Sequence, residues 1–404
     1  MTQSPVAPRA WTMQRASGCP FDPPPAMSEL IEKEPISRVT LWNGKTAWLL
    51  SRHADQVAFF QDERVSSDTT LPNYPSTTAA AEATREQNRA FVFMDEPEHN
   101  QHRRRFTSDF TVKRTRALGP RIEVIIGDLL DRMEKAGPSA DLVTSYALPI
   151  PSLVICELLG VPYEDHEFFQ GASASMVDTR STPEQAMAAS KELAGYLGAL
   201  LESKLSHPGD DLLSRLATGF MATGESTKEE CVNDAVLLLV AGHETTANMI
   251  ALGTCALLQN PEQLAVVRDG NPQQVAGAVE ELLRYLTVVH MGRRRVALAD
   301  IEIAGQVIKA GDGVICPIDL ANRDPEVFED PYSLRVDRQA RRHLAFGSGS
   351  HQCLGQNLAR TELQLAYPAL LRRFPALRLD CALNEVDFRT DMGVYGVHEL
   401  PVAW

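Results

Sequence analysis

A cysteine at the end of a glycine-rich turn, just ahead of a helical run, is a place to hold a thiolate. The stretch Phe346-Gly-Ser-Gly-Ser-His-Gln-Cys353-Leu-Gly355 is built that way. Apolar residues recur at Leu354, Leu358, Leu365 and Leu370, and Arg372 and Arg373 close the last turn, so the spacing predicts a helix over 354–374. Cys353 then stands at the positive end of that helix, where the dipole and unpaired backbone N–H groups favour the thiolate. Gly347, Gly349 and Gly355 allow close backbone approach to something flat and large, and Phe346 can shield one side of the sulfur. A free cysteine is ordinarily a small buried apolar residue, and it is the flanking pattern that sets this one apart.

Three further groupings have spacings that chemistry could use. Ala241-Gly242-His243-Glu244-Thr245-Thr246 places an acid and an alcohol side by side, directly after the wholly apolar Val236-Leu-Leu-Leu-Val240. A glycine and hydroxyls there can loosen the helical ladder and admit water, and the Glu244–Thr245 pair can pass protons. A carbonyl one turn back could equally satisfy the Thr245 hydroxyl. His243 lacks the His-Glu-x-x-His spacing of a metal pair. Glu281 and Arg284 are three apart on a helix and able to pair. His99 and Arg103 are four apart and share a face suited to a carboxylate-bearing ligand.

Phe-Gly-x-Gly-x-His-x-Cys-x-Gly matches every fixed position of the haem-binding signature of the cytochrome P450 family, and the chain resembles that family over roughly 26–404. The resemblance implies that Cys353 is the axial ligand of haem b iron. It makes Thr245 and Glu244 the oxygen-activation pair, with Thr245 bonding iron-bound oxygen and Glu244 helping to deliver protons. Glu281 and Arg284 become the structural ion pair behind the haem. His99, Arg103, Arg295 and His343 become propionate partners, with Arg293 and Arg294 as neighbouring alternatives to Arg295. The region before His99 departs from the family pattern only in Glu96, which replaces a proline. Carried over in the same way, Val240, Ala241, Thr245, Val288, Val289, Met291 and Val394 line a substrate pocket for a medium or large hydrophobic molecule.

The implied protein is a soluble bacterial monooxygenase that hydroxylates or epoxidises a hydrophobic small molecule, using NAD(P)H only through a ferredoxin and a ferredoxin reductase. No Rossmann fingerprint or flavin domain is present to use NAD(P)H directly. Arg103, Arg104, Arg341, Arg342 and Arg360 are expected to form the ferredoxin's docking face. A haem-thiolate nitric oxide reductase is the nearest alternative, since the layout also looks like the fungal members with that activity. A peroxygenase fits less well because of the Glu244–Thr245 pair, and a haem-based sensor is the reading outside enzymes.

These groups need a scaffold, and the chain predicts one that is mainly α with small β-sheets, the haem held between the long central helix and the cysteine loop. A hairpin is expected over 39–50 around Asn43-Gly44, with helices at 26–33 and 53–61. A long loop follows over 62–91, with a short helix at 77–86. Helices are predicted at 118–135, 143–159, 165–176, 183–205 and 210–220, with a break at 179–182 where the family moves a lid. The longest helix spans 229–259, a strand runs over 295–305, and terminal strands are expected over 391–404. Residues 1–25, rich in proline, are expected to be a partly ordered leader, and 26–404 a single domain and a monomer.

Composition agrees with this scaffold. The 404 residues are 44% hydrophobic and 23% charged, enough to bury a large core and a cofactor. Seven scattered cysteines with no Cys-x-x-Cys pair imply a reducing, cytoplasmic setting. Neither a signal core nor a membrane anchor is expected in residues 1–25, and a net charge of -14 argues against a nucleic-acid partner.

Overall fold

The computed structural model describes residues 8–16, 18–87, 90–390 and 392–404. Its centre is the helix Lys228–Leu258, buried along nearly all its length from Cys231 to Leu257. Thr227 and Glu230 start it with reciprocal caps: the Thr227 hydroxyl accepts from the Glu230 N–H at 3.1 Å, and the Glu230 carboxylate from the Thr227 N–H at 2.9 Å. This helix is long and apolar enough to cross a membrane, yet 67% of its most apolar window is buried inside the protein. It packs against Pro149–Leu159, Pro183–Ser206 and the terminal helix Gln356–Arg373, and their apolar faces merge into one large core.

The basic helix Glu98–Thr107 is docked onto the central helix by charge. His102 Nδ1 donates to Asp234 at 2.9 Å, and Arg105 lies 3.4 Å from the same carboxylate oxygen. That contact fixes where His99 and Arg103, on the same helix, can reach.

Beside the helical body lies a six-stranded sheet in the order Arg9–Ala10, Ile36–Thr40, Thr46–Leu50, Gly313–Cys316, Arg293–Ala297, Val65–Ser66. The expected hairpin forms, but pairs from Ile36 opposite Leu50 to Thr40 opposite Thr46, three residues earlier than the sequence suggests. Its loop is longer than two residues, with Gly44 at φ 79°. A three-stranded sheet joins Arg378–Leu379, Pro401–Ala403 and Ser139–Asp141.

Several expected elements come out differently. The single strand over 295–305 is two, Arg293–Ala297 and Ile301–Ile303, because the chain turns between them, where Leu298 N–H donates to the Arg64 carbonyl. In the tail only Pro401–Ala403 pairs as a strand; Asp391 lies outside the described residues. The helices expected over 143–159 and 210–220 each contain a wide turn, at Val143–Ala147 and Leu216–Met221. In the long loop a short helix, Ala79–Thr84, is capped by the Thr78 hydroxyl accepting from Ala81 N–H at 3.1 Å.

The leader's described part is packed into the fold. Residues 9–10 pair alongside Val39 and Thr40, Phe21 is buried, and Arg15 is buried among Asp319, Leu286, Thr287 and Tyr395. The first seven residues lie outside the described part.

Candidate active site

The terminal helix begins at Gln356, with Gly355 as its cap, so Cys353 precedes the first turn by a short loop and does not itself cap the helix. Gly347 and Gly349 hold that loop with φ 73° and 75°. At Gly349 a Cβ would stand 2.3 Å from the Phe60 carbonyl, so no other residue fits. Cys353 N–H donates to the Phe346 carbonyl at 2.8 Å, closing the loop under the sulfur. Burial pushes the thiol up, while Arg293, the Gly355 N–H, Arg103 and Arg360 pull it back toward the thiolate.

Cys353 opens onto a cavity of about 1340 Å³, measured out to its mouth. Across the cavity stand Leu237, Leu238, Ala241, Gly242, Thr245 and Thr246 of the central helix, with Phe91, Val92, Val288 and Val289 around the sides. At Gly242 a Cβ would meet Ile155 at 2.9 Å, so a side chain there would crowd the cavity wall. The thiol therefore faces a helix lined with small residues and hydroxyls across a largely apolar gap.

The cavity's polar rim gathers His99, Arg103, Arg293 and His351. His99 binds Glu96 through Nδ1 at 3.0 Å, and its buried Nε2 has no partner among the described residues. His351 binds the Ser67 hydroxyl through Nε2 at 3.1 Å, and its buried Nδ1 likewise has none. Orphaned ring nitrogens beside two guanidinium groups make a donor set for carboxylates. A planar group carrying two carboxylates and a metal with affinity for a thiolate fits this cavity, and haem is such a group.

Of the propionate partners expected from sequence, His99 and Arg103 line the cavity, and Arg103 also donates to the Gln352 carbonyl at the cysteine loop. Arg295 does not line it. Arg295 donates to the Arg294 carbonyl at 2.8 Å and stands over the Phe60 ring, while Arg293, on the same strand face, reaches the cavity. His343 is turned the other way, to Glu280 at 3.1 Å. His351, unused in the sequence reading, was available within the glycine-rich pattern itself.

Thr245 lines the cavity and donates to the Ala241 carbonyl at 2.8 Å. Glu244 faces elsewhere, into a second cavity of about 970 Å³, measured in the same way, that includes Thr144, Gln170, Asn248 and Arg389. Its carboxylate pairs with Arg389 at 3.1 Å and accepts from Asn248 at 3.4 Å. Adjacent positions on a helix point about 100° apart, so the two residues open onto different sides. The expected loosening of the helix is absent: hydrogen bonding is helical throughout Lys228–Leu258. Among the expected pocket residues, Ala241, Val288 and Val289 line the cavity; Val240, Met291 and Val394 do not, and Val394 is buried in the core.

Behind the loop, Glu281 and Arg284 form a fully buried two-pronged pair at 2.7 and 2.8 Å. Arg284 also donates to the carbonyls of Asn322 and Pro331 at 2.9 and 2.8 Å, tying three segments together.

The Cytochrome P450 family model matches residues 274–382, the part of the chain that holds this ion pair and the cysteine loop. Cytochrome P450-SU2 of Streptomyces griseolus is 52% identical over 96% of both chains. The chain belongs to the cytochrome P450 family. Among solved structures, GfsF of Streptomyces halstedii superimposes with a TM-score of 0.92 at 48% identity, covering 98% of this chain and 100% of that one. The mycinamicin VIII C21 methyl hydroxylase of Micromonospora griseorubida, bound to mycinamicin VIII, does so with a TM-score of 0.92 at 39% identity and the same coverage. As a cytochrome P450 this chain is a haem-thiolate monooxygenase, with the thiol on one wall of its cavity and hydroxyls on the other.

Proposed function

We propose that this P450 oxidises a medium or large hydrophobic natural product, with Cys353 as the thiolate ligand, Thr245 as the hydroxyl at the reacting side, and electrons supplied by a ferredoxin that a reductase charges from NAD(P)H. The observation that carries the reading is the cavity itself: one thiol, one facing hydroxyl-bearing helix, and a rim with two histidine nitrogens that have no partner among the described residues.

A haem bound there supplies the activation of O₂, which no side chain in the cavity could perform. The residues do the rest. His99, His351, Arg103 and Arg293 would hold the carboxylates. Thr245, its proton resting on Ala241, can turn and present a proton to the cavity. Glu244 and Arg389 hold a charge pair on another side of the same helix, beside a polar cavity from which protons can be drawn. Apolar side walls exclude water from the reacting zone and favour a hydrophobic substrate. The mycinamicin VIII bound by the hydroxylase of Micromonospora griseorubida supports a natural product as the substrate class.

The surface outside the cysteine loop supports an acidic protein partner. Arg104, Arg341 and Arg342 are exposed, as are Lys113, Arg114 and Arg116 on the short helix Val112–Ala117, which packs on the terminal helix, and together they offer cations to such a partner.

The test is the absorption spectrum of the reduced, carbon-monoxide-bound protein beside a Cys353→Ser variant. A strongly red-shifted Soret band, lost in the variant, is expected. Its absence from well-folded, haem-loaded protein would overturn the thiolate assignment.

A further inference from the structure

One wall of the cavity starts at a turn that its own residue disfavours. At the end of helix Pro272–Leu286, Thr287 takes φ 43° and ψ 71°, a left-handed conformation that is rare for a β-branched side chain. The next two residues, Val288 and Val289, line the cavity. Such a turn persists only where its surroundings over-determine it.

The surroundings here come from three directions. Thr287 Oγ1 donates to the Arg284 carbonyl at 3.0 Å and accepts from Asn322 Nδ2 at 2.9 Å. Tyr395 N–H donates to the Val288 carbonyl at 2.7 Å. The third support is Arg15, from the amino-terminal segment, only 6% exposed. Its Nη2 lies 3.2 Å from the Thr287 carbonyl and 3.5 Å from that of Leu286, and its Nη1 lies 3.9 Å from Asp319. The guanidinium also stacks over Tyr395, 4.5 Å from the ring centroid. Tyr395 in turn ties the segment down, its hydroxyl donating to the Pro20 carbonyl at 2.8 Å. A cation facing the last carbonyls of a helix is favoured by the dipole, and a planar fork that turns one nitrogen to two carbonyls and the other toward a carboxylate while stacked on a ring is a task for arginine and not lysine.

We propose that Arg15 is a positioning residue for the substrate wall: by joining the carbonyls of Leu286 and Thr287 to Asp319 and Tyr395, it fixes the left-handed turn that sets Val288 and Val289 against the cavity. It thereby selects among apolar ligands by shape without touching them. The inference rests on the haem reading only for its spectroscopic test.

The protein and its Arg15→Gln variant are each titrated with imidazole, which is too small to press on the wall, and with 4-phenylimidazole, whose apolar ring must pack against it. In the variant the carbon-monoxide band is expected to persist. The dissociation constant for 4-phenylimidazole should rise about tenfold, as for one lost charge-assisted hydrogen bond, while that for imidazole stays within about twofold. Equal changes for both ligands, or none for either, overturn the proposal. Arg15→Lys keeps the cation but not the fork; it should show a smaller change with the same selectivity, and it carries the same comparison if the glutamine variant does not hold haem. Hydrogen exchange of the amides over 287–293 reads the turn without haem and should quicken in both variants; unchanged protection there overturns the proposal. If the parent protein lacks the thiolate band, the haem reading fails while the exchange result still judges Arg15.

Discussion

His99 and His351 stack ring on ring, centroids 4.0 Å apart and planes 27° apart, and each keeps one buried ring nitrogen without a partner among the described residues, beside the same cavity. Burial, with Arg295, His99, Arg103 and Arg293 around it, pulls His351 down to about 2, so at neutral pH it is an uncharged ring with a single N–H to give. The charge offered to a carboxylate therefore comes from the arginines, and the histidines add direction.

Removing either ring should loosen the haem. His351→Ala and His99→Ala are each expected to speed haem transfer to an acceptor apoprotein by about tenfold or more, since a hydrogen bond to a charged group contributes about 1.5–3 kcal/mol. His343→Ala, whose ring faces Glu280, should leave the transfer rate nearly unchanged. Transfer that responds to His343 and not to His351 would reverse the assignment.

Thr245 and Glu244 open onto different sides of the central helix, and each side can be tested. Thr245→Val removes the hydroxyl at the cavity, and Glu244→Gln removes the charge that Arg389 holds on the other side. With a ferredoxin, a reductase and any ligand that shifts the spin state, both variants should release more hydrogen peroxide per NAD(P)H consumed. Product formation should fall about a hundredfold, within the usual range for a positioned proton donor. Unchanged coupling in Thr245→Val would remove that hydroxyl from the proton path.

Glu280 gives a prediction in pH. Burial pushes its carboxyl up, but hydrogen bonds from His343 at 3.1 Å and from Arg360 at 2.6 and 3.0 Å outweigh this and hold it at about 2, below its ordinary 4.5. A depressed carboxyl contributes stability that is present above the unfolded value and is lost as pH falls from about 4.5 to about 2. The shift corresponds to roughly 3 kcal/mol. Glu280→Gln should thus lower the unfolding free energy by about 2–3 kcal/mol at pH 7. The gap should narrow steadily below pH ~4.5. Denaturant titrations at pH 7 and pH 4 check it, and an equal gap at both would show that the ion cluster is not the source.

What the sequence made legible was local. Glu281–Arg284 and His99–Arg103 follow from helical spacing, and the cysteine loop from a fixed pattern of turn residues and one thiol. The relations that were hidden are set by how distant segments meet. Arg293 and Arg295 share one strand face, and only the seating of that strand against the cysteine loop decides that Arg293 reaches the cavity. His343 and His351 both flank the glycine turns, whose φ values send one to Glu280 and the other to the rim. Arg389 stands far along the chain from Glu244, and no spacing rule links them. The proline-rich leader looked loose because its anchors, Arg15 on Asp319 and Phe21 in the core, are long-range.

Among the arginines expected to meet a ferredoxin, the structure separates those that serve the fold from those exposed to a partner. Arg360 is bound to Glu280 through two nitrogens and stacks 4.5 Å from the Phe346 ring centroid, and Arg103 is engaged by the Gln352 carbonyl. Arg104, Arg341 and Arg342 are exposed. Rim charges act mainly on association and are screened by salt over about 8 Å at physiological ionic strength. Arg341→Glu with Arg342→Glu should therefore slow electron transfer from a ferredoxin about tenfold at low salt, with the difference fading as salt rises. The carbon-monoxide spectrum should not change. Arg360→Glu should instead disturb that spectrum or the stability of the fold, because it breaks the Glu280 cluster beneath the cysteine loop. Stopped-flow reduction across a salt series distinguishes these outcomes: a charge reversal at Arg341 and Arg342 that leaves the low-salt rate intact would mean that the partner docks elsewhere.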